Sequence, residues 1–180
     1  STPPADPLAA FRLESYLNRE PVNDTAPADA LCAYLLDHLT QGQYSLIRRQ
    51  RDSVNGQWPV VWAAVPDAAP VEALLANYPG TPAPVEYQQV SFSAAQLGEA
   101  EEAMRAFLRQ NPEIDYYQVA SRYDAVLVQL IAESGAVEDF AAAYPVADIY
   151  RLDVSADYAN WNPDTDPDPN PTSDEARKRS

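Results

Sequence analysis

The chain has one histidine, His38, and one cysteine, Cys32, and both fall in a leucine-rich stretch with Leu31, Leu35 and Leu36. Acid/base or nucleophilic chemistry needs such a group within hydrogen-bond reach of a partner, and neither residue stands in a nucleophile motif. The spacing puts Cys32 on the apolar side of a helix, where a thiol behaves as a small hydrophobe. Asp and Glu number 27, yet no spacing singles out a carboxylate pair for proton transfer. With five glycines and no Gly-rich loop, a nucleotide-binding fingerprint is excluded. Asp164, Asp166, Asp168 and Asn170 alternate, with Glu175 at the twelfth position, which is the ligand order of a calcium loop. Pro169 occupies the position that calls for glycine, and Pro167 and Pro171 stiffen the rest, so the run reads as an acidic tail. No catalytic residue, metal or cofactor is expected.

Recognition chemistry is better represented. Eleven tyrosines and three tryptophans supply rings that favour partner chains wherever they stay exposed. Tyr116, Tyr117 and Tyr123 fall on one hairpin, and Tyr150, Arg151 and Asp153 on the last strand. These six are the expected partner-binding residues; core and cross-strand packing is the competing account of the tyrosines.

The elements that must position them form a repeat, since residues 60–79 and 126–145 share one plan at a spacing of 66. Each begins with an apolar run and continues into a short helix. Its stripe is Val71, Leu74, Leu75, Tyr78 in one copy and Val137, Phe140, Ala141, Tyr144 in the other, closed by Pro79 and Pro145. Hairpins precede both helices: residues 44–51 and 58–65 around Asn55-Gly56, and 115–120 and 125–131 around the turn 121–124. A strand follows each helix, over 85–92 and 148–155. In that last strand Tyr150, Leu152 and Val154 share one face and Arg151 and Asp153 the other, the pattern of a half-buried edge. The runs 60–65 and 125–131 are apolar on both faces, which predicts cover on both sides.

The linking helix carries a capping box, Ser93 and Gln96, and a stripe of Leu97, Ala100, Met104, Phe107 and Leu108. Its other face, with Glu99, Glu101, Glu102, Arg105 and Arg109, reads as solvated. Asp67 and Ser134 are the expected caps of the repeat helices. Two helices precede the repeat, over 7–18 and 27–39, the second with Pro27 in its first turn and Thr25 as candidate cap.

The expected class is α+β: two ββαβ units with antiparallel sheets joined by a helix, preceded by two N-terminal helices. The expected segments are a helical 1–42, a first unit 43–92, the connecting helix 93–111, a second unit 112–155 and a disordered acidic, Pro-rich tail 156–180, too poor in apolar residues to offset its ordering entropy.

At 180 residues, 46% of them apolar, the chain can bury one substantial core or two small ones. A net charge of −15 disfavours nucleic acid and anionic membranes, both polyanions. No apolar run reaches the roughly 18 residues of a membrane span, so no membrane insertion is expected. The Pro/Ala/Asp-rich start resembles a spacer left after secretion, and a secreted or cell-envelope location is expected, with any leader already removed.

Three stretches resemble the pro-regions of secreted serine proteases of the alpha-lytic protease and streptogrisin type. Val85-Glu-Tyr-Gln-Gln-Val-Ser-Phe-Ser-Ala-Ala-Gln-Leu is similar to the family's strand running into a Ser-capped helix. Tyr117-Gln-Val-Ala-Ser-Arg-Tyr-Asp124-Ala-Val-Leu-Val128 is similar to its aromatic and valine-rich hairpin, and residues 137–154 to the helix and strand that follow. The likeness covers residues 44–155. It departs at Ala120, where the family has Asp, and in the acidic Pro-rich segment that stands where the family's tail enters the protease. The resemblance implies a module that binds a protease tightly and assists its folding, adding its sheet to a hairpin of the enzyme.

The expected function is therefore a non-enzymatic, exported protein-binding module with a protein partner, a protease among the candidates. Two alternatives remain open on the sequence: a hydrolase or small-ligand protein with carboxylates converging in a cleft between the units, and a structural or spacer domain of the cell envelope.

Overall fold

A computed structural model of the protein describes residues 24–53, 56 and 58–160. The expected helix over 7–18, Asn55 of the first hairpin turn and the calcium-like run from Asp164 lie outside the described residues. In chain order the elements are α1 (Ala26–His38), β1 (Leu46–Arg51), β2 (Pro59–Val65), α2 (Ala69–Ala76), β3 (Val85–Gln89), α3 (Ala94–Gln110), β4 (Tyr116–Ser121), β5 (Val126–Leu130), α4 (Gly135–Ala143), β6 (Tyr150–Val154) and a 3₁₀ turn (Ala156–Asn160). This is an α+β architecture with two three-stranded sheets, ordered β1-β2-β3 and β4-β5-β6.

Local chemistry explains most element ends. Ser93 N donates to Gln96 Oε1 at 3.0 Å and Gln96 N to Ser93 Oγ at 3.2 Å, closing the capping box that starts α3. Ser134 Oγ accepts from Val137 N at 3.3 Å and starts α4. Thr25 and Asp67 act differently from expectation. Thr25 makes no side-chain cap bond; Asp24 Oδ1 accepts from Ala26 N at 3.0 Å instead. Ala68 is the N-cap of α2, and Asp67 Oδ1 accepts from Ala69 N at 2.9 Å. Both short bonds reach only two residues ahead, a turn that leads into the helix. Gly56 takes φ 71°, the left-handed geometry the first hairpin turn requires.

The expectation of antiparallel sheets is corrected. β1 with β2 and β4 with β5 are antiparallel hairpins, but β2 with β3 and β5 with β6 are parallel. The cause is the intervening helix, which carries the chain back to its starting end so that the third strand runs the same way as the second. Each sheet is therefore mixed.

The chain divides into two units, Ser1–Gly98 and Glu99–Ser180, with the division inside α3. In the first, Val61, Ala63, Val65 and Val85 of the sheet bury against Leu31 and Leu35 of α1 and Val71 of α2. In the second, Val126, Val128, Leu130 and Val119 are buried, as are Met104 of α3 and Val137 of α4. Both central strands, β2 and β5, are buried along nearly their whole length, as their two-sided apolar pattern required.

The repeat is real in the backbone, at a spacing one residue shorter in the strands than in the helices. Val61 N donates to Pro84 O and Val90 N to Val65 O; in the second unit Val126 N donates to Ile149 O and Ser155 N to Leu130 O. Every one of these positions is related by 65, whereas the buried helix residues Val71 and Val137 are related by 66. The second unit thus has one extra residue between strand and helix. Because strand side chains alternate, the residues facing the helices are Val61, Ala63 and Val65 in one unit and Val126, Val128 and Leu130 in the other.

Candidate partner-binding edge

A three-stranded sheet has two edges, and in the second unit they are treated differently. Along β4, Ser121 N donates to Glu101 Oε1 of α3 at 2.8 Å, and the guanidinium of Arg105 donates to the carbonyl of Val119. Glu101 and Arg105 are themselves 3.8 Å apart. These outward backbone groups are therefore closed by side chains from a helix, one of the ways a sheet blunts its edge. The solvated face expected for α3 is corrected here: Arg109 and Glu102 form an exposed pair at 3.0 Å, but Glu101 and Arg105 serve the sheet.

On β6 the phase of the ladder is set by Val126 N to Ile149 O at 2.7 Å and Ser155 N to Leu130 O at 2.9 Å. In a parallel ladder alternate residues bond the neighbouring strand. Ile149, Arg151, Asp153 and Ser155 thus turn their N–H and C=O groups to β5, and Tyr150, Leu152 and Val154 turn theirs outward. Among the described residues no strand lies on that side. β6 has neither bulge nor proline, so its outward N–H and C=O groups stand in register for another strand.

The side chains of β6 divide by face. Tyr150 faces the helices: its O–H donates to the carbonyl of Ala100 at 2.6 Å, and its ring meets Tyr144 edge-on at 5.1 Å and Phe140 at 6.1 Å. Phe140 in turn stacks on Phe107 at 4.6 Å. Burial, and then the neighbouring Tyr144, pushes the Tyr150 phenol well above its ordinary value. Tyr150 is thus a packing residue whose backbone, rather than its ring, belongs to the edge. Leu152 is half-buried on the same face, and Val154 is 43% exposed, high for valine.

On the opposite face, Arg151 Nη2 pairs with Asp124 Oδ2 at 2.8 Å, with both side chains partly in water. Asp153 lies opposite Gln129, which lies opposite Gln118. Gln118 Nε2 donates to Gln129 Oε1, and Gln129 is fully buried. A polar rung therefore crosses the sheet from β4 to β6. Gln118 and Gln129 carry little signal along the chain, because a glutamine inside an apolar strand looks like a solvent-facing position.

The hairpin tyrosines do not form one cluster. Tyr116 starts β4 and Tyr123 lies in the turn beyond its other end, 39% and 38% exposed. Tyr117 is the extra residue where the register slips between Tyr116 and Gln118, so β4 bends there. Of the six expected residues, the fold brings Tyr150, Arg151 and Asp153 onto one open strand, Tyr116 and Tyr117 onto the closed one, and leaves Tyr123 in the turn beyond it. The residues missed were Leu152 and Val154, whose importance is in their backbone.

Elsewhere the chemistry-bearing residues do structural work. His38 Nδ1 lies 2.7 Å from the carbonyl of Tyr34, one turn back, and its ring lies over that of Tyr34 at 4.1 Å. Burial, with help from the Asp29 carboxylate, pushes the Cys32 thiol up to about 11, so the reactive thiolate is scarce. Among the described residues no group of His, Cys, Asp and Glu is placed to hold a metal ion, and no helix is long and apolar enough to cross a membrane. Compared with protein-family models and with curated proteins, the chain matches none.

Proposed function

We propose that this protein is a non-enzymatic, exported protein-binding module that receives a strand of its partner on the β6 edge. The observation that carries the reading is the asymmetry of the second sheet: α3 closes β4 with Glu101 and Arg105, while Tyr150, Leu152 and Val154 direct their backbone groups outward. An incoming strand would satisfy those groups with main-chain hydrogen bonds, and the alternation of Arg151 and Asp153 on one face with Leu152 and Val154 on the other would select its sequence. The resemblance to protease pro-regions, which covers this sheet, makes a secreted serine protease of the streptogrisin type the first partner to test.

Inhibition of such a protease would be measured together with amide hydrogen exchange of residues 149–155. Binding at the edge slows exchange of the Leu152 and Val154 amides, and Leu152→Pro, which removes the central outward donor, abolishes both protection and inhibition. Protease activity left unchanged, with unaltered exchange along β6 at saturating protease, removes the protease. Inhibition that survives Leu152→Pro removes the edge.

A further inference from the structure

The β6 strand reads Tyr150-Arg151-Leu152-Asp153-Val154, and that order is complementary to itself. We propose that the edge pairs antiparallel with the same edge of a second copy of this chain, about a twofold axis through Leu152; the inference rests on β6 being the open edge argued above. In this register Leu152 lies opposite Leu152 of the second copy, and Tyr150 opposite Val154. These are the residues whose N–H and C=O groups point outward, so each outward group meets one, and the ladder continues across the axis as hydrogen-bonded antiparallel pairs. A register shifted by one residue would set outward groups against inward ones.

The side chains agree with the backbone. Arg151 falls opposite Asp153 of the second copy, and the axis generates the same pair again. Both sit at non-hydrogen-bonded positions, where side chains approach most closely. Arg151 already holds Asp124 through one nitrogen, and its guanidinium has further donors for a second carboxylate. On the other face, Val154 comes beside Tyr150 of the second copy and leaves water. The repeat provides an internal comparison. β3 has the same outward phase, set by Pro84 and Val90, but the same arrangement about Tyr87 sets Glu86 against Gln88, with no opposite charge. Self-complementarity is therefore particular to β6 and does not follow from the ββαβ plan.

The net charge of −15 opposes association of like copies, and one strand pair is a small contact, so the dimer belongs to the weak, transient class. Sedimentation and amide NMR of the full chain over a range of concentrations are expected to show a monomer–dimer equilibrium with shifts confined to residues 149–155. Arg151→Asp turns both cross-axis attractions into repulsions and weakens the dimer at least about tenfold; Asp153→Arg does the same while leaving the Arg151–Asp124 pair intact. Mixed together, these two variants restore association, because each then faces the opposite charge, and this mixing test does not depend on either variant's stability matching the parent's. A chain that stays monomeric throughout, or a mixture that associates no better than its components, overturns the proposal. If the chain stays monomeric while a bound protease protects the β6 amides, self-pairing alone falls; if nothing protects them, the reading of the edge falls with it.

Discussion

Truncating Glu101 to alanine tests the claim that one edge of the second sheet is closed and the other open. Glu101 Oε1 takes the Ser121 amide at 2.8 Å, its side chain is 29% exposed, and Arg105 stands 3.8 Å away. A hydrogen bond to a charged group contributes about 1.5–3 kcal/mol, and an i,i+4 ion pair about 0.3–0.5 kcal/mol. Two effects reduce the sum: Ser121 is half-buried, so water can replace part of the lost bond, and alanine's better helix propensity returns a few tenths of a kcal/mol. Glu101→Ala is therefore expected to cost about 1–2 kcal/mol, read as a lower urea midpoint at unchanged m-value. Exchange of the Ser121 amide should accelerate about tenfold for each 1.4 kcal/mol lost. The uncapped β4 edge should also raise the tendency to associate. A midpoint shift worth less than about 0.3 kcal/mol, with Ser121 exchange unchanged, would refute the reasoning, because α3 would then not be what closes β4.

Three further outcomes follow from the same geometry. Tyr150→Phe keeps the ring among Tyr144 and Phe140 but loses the 2.6 Å bond to Ala100; it should cost about 0.5–1.5 kcal/mol in urea unfolding, and a larger loss would mean the ring itself is displaced. Gln129→Leu removes the acceptor that the half-buried Gln118 now uses, and water reaches Gln118 in its place, so about 0.5–1.5 kcal/mol should be lost, measured the same way. Cys32, raised from 9.0 to about 11, should alkylate at pH 8 about a hundredfold or more slowly than an exposed cysteine. The sign for stability follows from the protonated thiol being favoured in the folded state. The contribution is fully present below about pH 9 and is lost as pH rises towards 11, so Cys32→Ala should flatten that part of the stability–pH curve.

Features governed by neighbours in the chain were legible in the residues. The capping box at Ser93 and the hydroxyl cap at Ser134 needed only polar groups at the right spacing from an amide, and both formed. The two-sided apolar runs of β2 and β5 required cover on both faces, and the alternation at 150–154 pointed to a half-buried strand, which Val154 departs from by standing exposed. The spacing of 66 that aligns residues 60–79 with 126–145 holds in the helices. It misplaced the strands by one residue, since apolar residues fill both faces of the central runs and so carry no mark of which face meets the helix.

The order of strands, helices and turns is written along the chain, because caps, turns and hydrophobic periods act over a few residues. Which strands lie parallel, which edge Glu101 and Arg105 close, and the joining of Gln118, Gln129 and Asp153 into one rung were decided by tertiary structure alone. Those outcomes depend on hydrogen bonds between groups far apart in sequence, and an outward-facing N–H on β6 differs from an inward-facing one only through the strand that lies beside it.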